Sequence, residues 1–248
     1  MTGKGETSKI LALIPAWNEA RTIGPIVEAV ARRLPVLAVD DGSSDGTAGI
    51  ARNSGAAVVS HPRNMGKGAA LKTGFAWALD HGYDAVVTLD ADGQHDPCDL
   101  EAMLAAYASG AGELIIGKRD FAQMPLPNRY TTPFGSRLLS WALGVRVTDN
   151  QSGFRLLTRN FIERMALRST GYEMEVEMIW EAIRLDMPIA WVPIRTIYFS
   201  DRKSGFRPFA DTLRFLRMVL SIWRRRISRK QPRQPESCAG AAPNDRGS

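Results

Sequence analysis

The chain has 248 residues, 44% of them hydrophobic and 23% charged, with a formal net charge of +6. That composition suits one globular domain with a tail, and no run approaches the ~18 to 20 apolar residues that cross a bilayer, which excludes a membrane-embedded chain. Two cysteines, Cys98 and Cys238, are too few and too far apart for a disulfide framework or a zinc site.

Residues 1–8 read as a flexible start, and they lack the apolar core of a secretory signal, so a cytosolic protein is expected. The apolar run at 10–14 predicts a strand that ends in Pro15-Ala16-Trp17-Asn18-Glu19 and feeds a helix over about 21–33. Residues 36–39 predict a second strand closed by Asp40-Asp41-Gly42-Ser43, and Asp45 stands where it can cap the next helix. A short strand at 57–59 is followed by Asn64-Met65-Gly66-Lys67-Gly68, whose glycines admit a close backbone or ligand at the start of a helix over about 67–81. Residues 85–90 predict a strand running into Asp90-Ala91-Asp92-Gly93-Gln94. A helix over about 97–109, a strand at 114–117 and a helix reaching Arg184 complete the pattern. Such alternation predicts an α/β fold, a mostly parallel sheet with helices on both faces.

Side chains at i and i+2 leave a strand on one side, so Asp90 and Asp92 form a carboxylate pair at a strand's carboxyl end, the edge where parallel sheets bind ligands. The pair suits a hard divalent cation, Mg²⁺ or Mn²⁺, that also holds a diphosphate; a solvated Asp-Gly turn is the alternative. No Gly-x-Gly-x-x-Gly follows the first strand and no Walker-type loop occurs, which sets dinucleotide and P-loop chemistry aside.

Taken in order, Pro15-x-x-Asn18-Glu19, Val39-Asp40-Asp41-Gly42-Ser43-x-Asp45-Gly46-Thr47, Asn64-x-Gly66-Lys67-Gly68 and Asp90-Ala91-Asp92-Gly93-Gln94 resemble glycosyltransferase family 2. The likeness runs over roughly 9–205 and is greatest to the dolichyl- and polyprenyl-phosphate sugar transferases, a subgroup that Gln151-Ser152-Gly153-Phe154-Arg155 also fits. It implies a single nucleotide-sugar-binding domain of the GT-A type over 9–205. The implied reaction is an inverting, metal-dependent transfer of one sugar from a GDP- or UDP-linked donor to a polyprenyl phosphate. The metal then falls to Asp92, assisted by Asp90 and Gln94. Pro15, Trp17 and Glu19 line the base or ribose side, Trp17 packing against the sheet being the other option. Asp41 accepts hydrogen bonds from the base or ribose, Asp40 shapes the turn, and Asp90 belongs to the donor site. Lys67 either approaches the phosphates or is solvated at its helix start.

By the same resemblance Arg119 and Arg129 hold the lipid phosphate, their planar forks suiting its oxygens, and Arg119 and Arg155 join Asp92 as catalytic candidates. Glu173 and Glu175 are either near the site or plain helix-start carboxylates. His95 is a structural neighbour of the acidic motif, and His61 and His81 have no assigned role. A phosphate monoester, with a second pKa of about 6, is largely dianionic at neutral pH, so no strong general base is required. Processive synthases carry Gln-x-x-Arg-Trp, which this chain lacks, and Arg202-Lys203-Ser204-Gly205-Phe206-Arg207 departs from the family's Arg-x-x-Gly-x-Ser-Lys. Two other readings stay open: a soluble glycan or small-molecule acceptor, and a nucleotide-sugar-binding subunit of a membrane complex.

Residues 201–230 hold ten Lys/Arg against two Asp. Phe209, Leu213, Leu216, Leu220, Trp223 and Ile227 recur at four- and three-residue steps, which predicts a basic amphipathic helix over 206–230. It reads as lying on the cytosolic face of an anionic membrane, against the alternatives of packing on the catalytic domain or meeting a membrane-protein partner. No module accompanies the charge, so nucleic acid is not an expected partner. Residues 231–248 read as a disordered tail.

Overall fold

Seven strands and seven α-helices make up the residues that the computed structural model describes, 8–121, 128–169, 171, 173–195, 219–220 and 223–224. They run β1 (Ile10–Ala16), α1 (Ile23–Ala31), β2 (Val36–Asp40), α2 (Thr47–Asn53), β3 (Ala57–Ser60), α3 (Lys67–Asp80) and β4 (Ala85–Thr88). There follow α4 (Leu100–Ala108), β5 (Leu114–Arg119), α5 (Asn128–Leu143), β6 (Arg155–Thr158), α6 (Arg159–Arg164), α7 (Met174–Arg184) and β7 (Ile189–Ile194). The strands form one sheet in the order β3-β2-β1-β4-β6-β5-β7.

β1, β2 and β4 are nearly continuous apolar runs because helices cover them on both sides. Alternate residues divide between two cores. Leu11, Leu13, Leu37, Val39 and Val86 meet α3, α5, α6 and α7, whereas Ala12, Ile14, Ala38 and Val87 meet α1, α2 and α4. Leu89 N–H donates to Leu13 O at 3.1 Å, and there β1 and β4 part. Pro15, buried in β1, has no N–H with which to extend that ladder, so the chain after β4 is released toward Asp90.

β6 is the exception to the parallel order. It runs antiparallel to β4 and β5, pairing Arg155 with Thr88 and with Ile116. A strand that runs backwards enters the sheet at the edge where its neighbours leave, so residues 149–154 arrive beside the carboxyl ends of β4 and β5. Thr88 Oγ1 fixes that arrival by donating to Gly153 O at 2.7 Å.

The boundaries expected from sequence hold to within a few residues through β5, but no strand was assigned beyond residue 117, and β6, β7, α5 and α6 are additions. The expected helix over 206–230 lies outside the described residues except at 219–220 and 223–224. There Val219 is buried in the core, and Trp223 is half-buried and stacked on Trp141 of α5, ring centroids 6.0 Å apart. Among the described residues no helix is long and apolar enough to cross a membrane.

Candidate active site

The loops after β1 and β2 are laced together by side chains from both. Asn18, left-handed at φ +54°, donates its N–H to Ser43 Oγ and accepts from Ser44 N, both at 2.9 Å. Glu19 N donates to Thr47 Oγ1 at 2.8 Å, and Ala20 N to Asp45 Oδ2 at 3.0 Å. Asp45 also accepts from Thr47 N, but the N-cap of α2 is the left-handed Gly46, so Asp45 braces the turn from one residue outside the cap expected of it. Trp17 stands out of this frame, half exposed, and does not pack into the sheet.

Asp40 and Asp41 are both buried. Asp40 accepts one bond, from Ser43 N at 3.2 Å. Asp41 accepts from Met65 N at 2.9 Å and Gly66 N at 2.7 Å, and faces His61 Nδ1 at 2.7 Å. The second ring nitrogen of His61 meets Thr73 Oγ1 of α3 at 2.9 Å. Asp41 thus ties the end of β2 to the loop that opens α3, where sequence reasoning gave it to the base or ribose. His61, which the sequence reading left without a role, is the missed partner. The parallel register sets Asp40 beside Ser60, so the next residues, Asp41 and His61, are neighbours too.

That loop delivers Lys67 to the site. Its ammonium lies 2.6 Å from Asp90 Oδ1 and 2.7 Å from Glu175 Oε1 of α7. His95 Nε2 stands 3.4 Å from Asp90 Oδ2. Burial alone would raise the Asp90 pKa, but the Lys67 charge and the His95 hydrogen bond outweigh it and hold the carboxyl well below its usual range. Burial likewise works against the Lys67 ammonium, and Asp90 and Glu175 together raise its pKa above the ordinary lysine value. Gly153 closes the other side: a Cβ there would lie 2.3 Å from Asp90 Oδ2. Glu175 Oε2 and Ser152 Oγ are buried without a hydrogen-bond partner among the described residues.

Asp92, two residues on, accepts from Gln94 N at Oδ1, at 2.9 Å. Among the described residues no group of three or more His, Cys, Asp or Glu side chains is assembled for a metal. A divalent cation held by one or two carboxylates together with substrate phosphates needs no such group, and Asp92 fits that case. Asp90 fits it less well, since an ammonium already sits on one of its oxygens.

Arg155, a catalytic candidate by resemblance, lies in the interior. It is almost fully buried, donating to Ser152 O, Glu175 O and Asn150 O, with Nη1 against Met178 Sδ. Burial lowers its pKa to about 10 against the opposing pull of Glu175, Asp149 and Asp90. It braces the carbonyls of the 149–153 loop against α7 and presents no open fork to a phosphate. Arg119 keeps a place at the edge, bonded through Nε and Nη2 to Asp149 at 2.7 and 2.9 Å. Arg129 begins α5, and its side chain lies outside the described residues. Glu173 precedes α7 while Glu175, two residues on, is the one that reaches Lys67.

The comparisons with known proteins agree with this arrangement. A solved glucosyl-3-phosphoglycerate synthase from Mycobacterium tuberculosis, in complex with Mn²⁺, UDP-glucose and phosphoglyceric acid, has the same fold, with a TM-score of 0.69 at 23% identity over 89% of this chain and 80% of that one. A polyprenol monophosphomannose synthase of Mycolicibacterium smegmatis is 33% identical over 219 residues, covering 80% of either chain. An undecaprenyl-phosphate mannosyltransferase of Micrococcus luteus is 34% identical over 217 residues, 79% of this chain and 86% of its own. The profile named Glycosyl transferase family 2 matches residues 12–170. With that match over most of the chain, and relatives of 33% and 34% identity covered over four fifths of their length, the protein belongs to glycosyl transferase family 2 and is a glycosyltransferase.

Proposed function

We propose that the chain moves one sugar, with inversion, from a GDP- or UDP-linked donor to a polyprenyl phosphate. The observation that carries this reading is the acidic edge itself, Asp90 and Asp92 after β4 with the Lys67 ammonium bridging Asp90 and Glu175. Support for the acceptor comes from relatives at 31–34% identity whose names specify polyprenol, undecaprenyl phosphate and dolichyl phosphate. Support for a metal comes from the fold neighbour with Mn²⁺ and UDP-glucose.

Departure of a nucleoside diphosphate builds negative charge, and Mg²⁺ or Mn²⁺ bound at Asp92 supplies its neutralisation. Lys67, pinned from two sides at the first turn of α3, adds a fixed positive charge where the helix dipole is also positive. The dianionic acceptor needs orientation more than deprotonation. Arg119, set in its plane by Asp149, is with Arg129 our candidate for that phosphate.

The test incubates full-length protein with GDP-mannose, UDP-glucose or UDP-N-acetylglucosamine, each with Mn²⁺ or Mg²⁺, and a short water-soluble polyprenyl phosphate. Mass spectrometry should find a sugar-phosphate lipid from one donor, with inverted anomeric configuration by NMR. Transfer to phosphoglycerate alone overturns the lipid acceptor, and donor binding without turnover makes the chain a binding subunit.

A further inference from the structure

Helix α5 is apolar on two sides. Leu139, Ala142 and Leu143 are buried in the core, yet Phe134 and Trp141, two turns apart on another face, are 68% and 62% exposed. Val145, just past the helix, and Leu220 are exposed as well, so four of the six exposed large hydrophobics among the described residues belong to α5, the turn after it and the C-terminal segment that stacks on it. A helix with two apolar faces has two partners, and the core supplies one.

Beside this second face lies a cleft of about 650 Å³, between α5, the end of β5 and residues 144–148. Its volume falls in the range of small-ligand sites. Lys118, Arg137 and Arg146 line it, all exposed and none in an ion pair among the described residues, and no acidic side chain joins them. Three cations around a concave site match an oxyanion, and the neighbouring rings match hydrocarbon.

We propose that this face docks the protein on an anionic bilayer, the cleft receiving a phospholipid phosphate while Phe134 and Trp141 enter the interface. Tryptophan and phenylalanine beside basic side chains are the residues that hold a peripheral protein at that depth. Lys118 and Thr148 line the cleft, and their chain neighbours Arg119 and Asp149 form the pair at the acceptor edge, so docking brings the membrane to the side on which a lipid phosphate must arrive. For its purpose the inference rests on the lipid-acceptor reading. The helix expected over 206–230 lies outside the described residues except at 219–220 and 223–224, where Val219 is buried and Leu220 exposed, so α5 adds a second apolar surface to the one expected from sequence.

The experiment is flotation of full-length protein with phosphatidylglycerol-rich and with pure phosphatidylcholine vesicles. Binding should favour the anionic vesicles and weaken with salt. Each basic side chain near an anionic surface contributes enough that Arg137→Gln with Arg146→Gln should lower partitioning about 30-fold. Phe134→Ser with Trp141→Ser should weaken binding to both vesicle types. Both double variants should keep the wild-type unfolding temperature and nucleotide-sugar affinity. Absence of flotation, or undiminished flotation of the Arg variant, overturns the proposal. So does an unfolding temperature raised by inorganic phosphate through these arginines without vesicle binding, which makes the cleft a soluble-phosphate site. A dimer in light scattering that Trp141→Ser dissolves assigns the face to a second copy and overturns it too. Transfer to the water-soluble polyprenyl phosphate, measured in parallel, separates the two readings. Flotation without transfer defeats the function alone, and transfer without flotation defeats the docking alone.

Discussion

Two strand ends in this protein carry paired carboxylates, and the fold uses them in opposite ways. After β2, Asp41 is closed in by Met65 N, Gly66 N and His61, so its charge is spent inside the protein. After β4, Asp90 grips a lysine and Asp92 accepts from the Gln94 N–H. Adjacent acids must point to different sides of a chain, whereas acids at i and i+2 share one. Asp40 and Asp41 leave the chain on opposite sides and both are buried, whereas Asp90 and Asp92 stay partly exposed at the sheet edge. A carboxylate at a strand end is therefore not a functional residue until its N–H partners are counted.

The sharpest test of that contrast is Asp92→Ala. Transfer should fall at least about 10²-fold, the scale of losing one stabiliser of transition-state charge, with the thermal unfolding curve unmoved. Full activity in the variant, or in excess EDTA, removes Asp92 from the metal. Asp41→Ala should show the reverse pattern. It removes the acceptor of Met65 N and His61, while Gly66 N keeps Asn64 Oδ1, so chemical denaturation should report a loss of about 2 kcal/mol, with nucleotide affinity falling only as the α3 loop loosens. If affinity collapses while stability holds, the two strand ends are not used differently.

Gly153→Ala probes the wall of the second end without touching a charge. The new methyl cannot coexist with Asp90 in place, and donor affinity by calorimetry should drop about tenfold, consistent with a 1–3 kcal/mol overpacking strain. Lys67→Met tests the ion pair by pH. In the wild type the depressed Asp90 pKa contributes stability that is complete above the unfolded value of about 3.9 and is lost as pH falls toward the folded one. Without the ammonium, burial raises that pKa, so acid unfolding followed by circular dichroism should begin at a higher pH. Asp40→Asn should do least: its amide oxygen still accepts from Ser43 N, and a stability change under about 1 kcal/mol is expected.

Much of the donor half was legible because each of its elements announces itself locally. Apolar runs mark β1, β2 and β4, glycines mark the turns, and parallel order then sets their acidic ends on one edge. The other half was not legible for the same reason. β6 is four residues, Arg155–Thr158, of which only two are large aliphatics, and its direction is set by pairing with β4 and β5 rather than by its composition. The surroundings of Arg155 were not legible, because a motif arginine reads as an active-site candidate whatever lies around it. Only the fold shows the carbonyls of Asn150, Ser152 and Glu175 already around it. Glu175 was undecided because a helix start is a common place for an acid, and its Lys67 partner is more than a hundred residues away in sequence.

The reversed strand also dictates the order in which the nascent chain is completed on the ribosome. β2, β3 and β4 each emerge to find a neighbour already made, whereas β5 is flanked only by β6 and β7, both synthesised after it. Until residues 155–158 appear, β5 has no ladder and β4 leaves an open margin of unpaired backbone groups. A chain halted before that point carries the acids after β2 and β4 but has neither Gly153 against Asp90 nor Glu175 beside Lys67. Synthesis therefore makes both acidic strand ends first and leaves the Lys67–Asp90–Glu175 arrangement incomplete until β6 has joined the sheet.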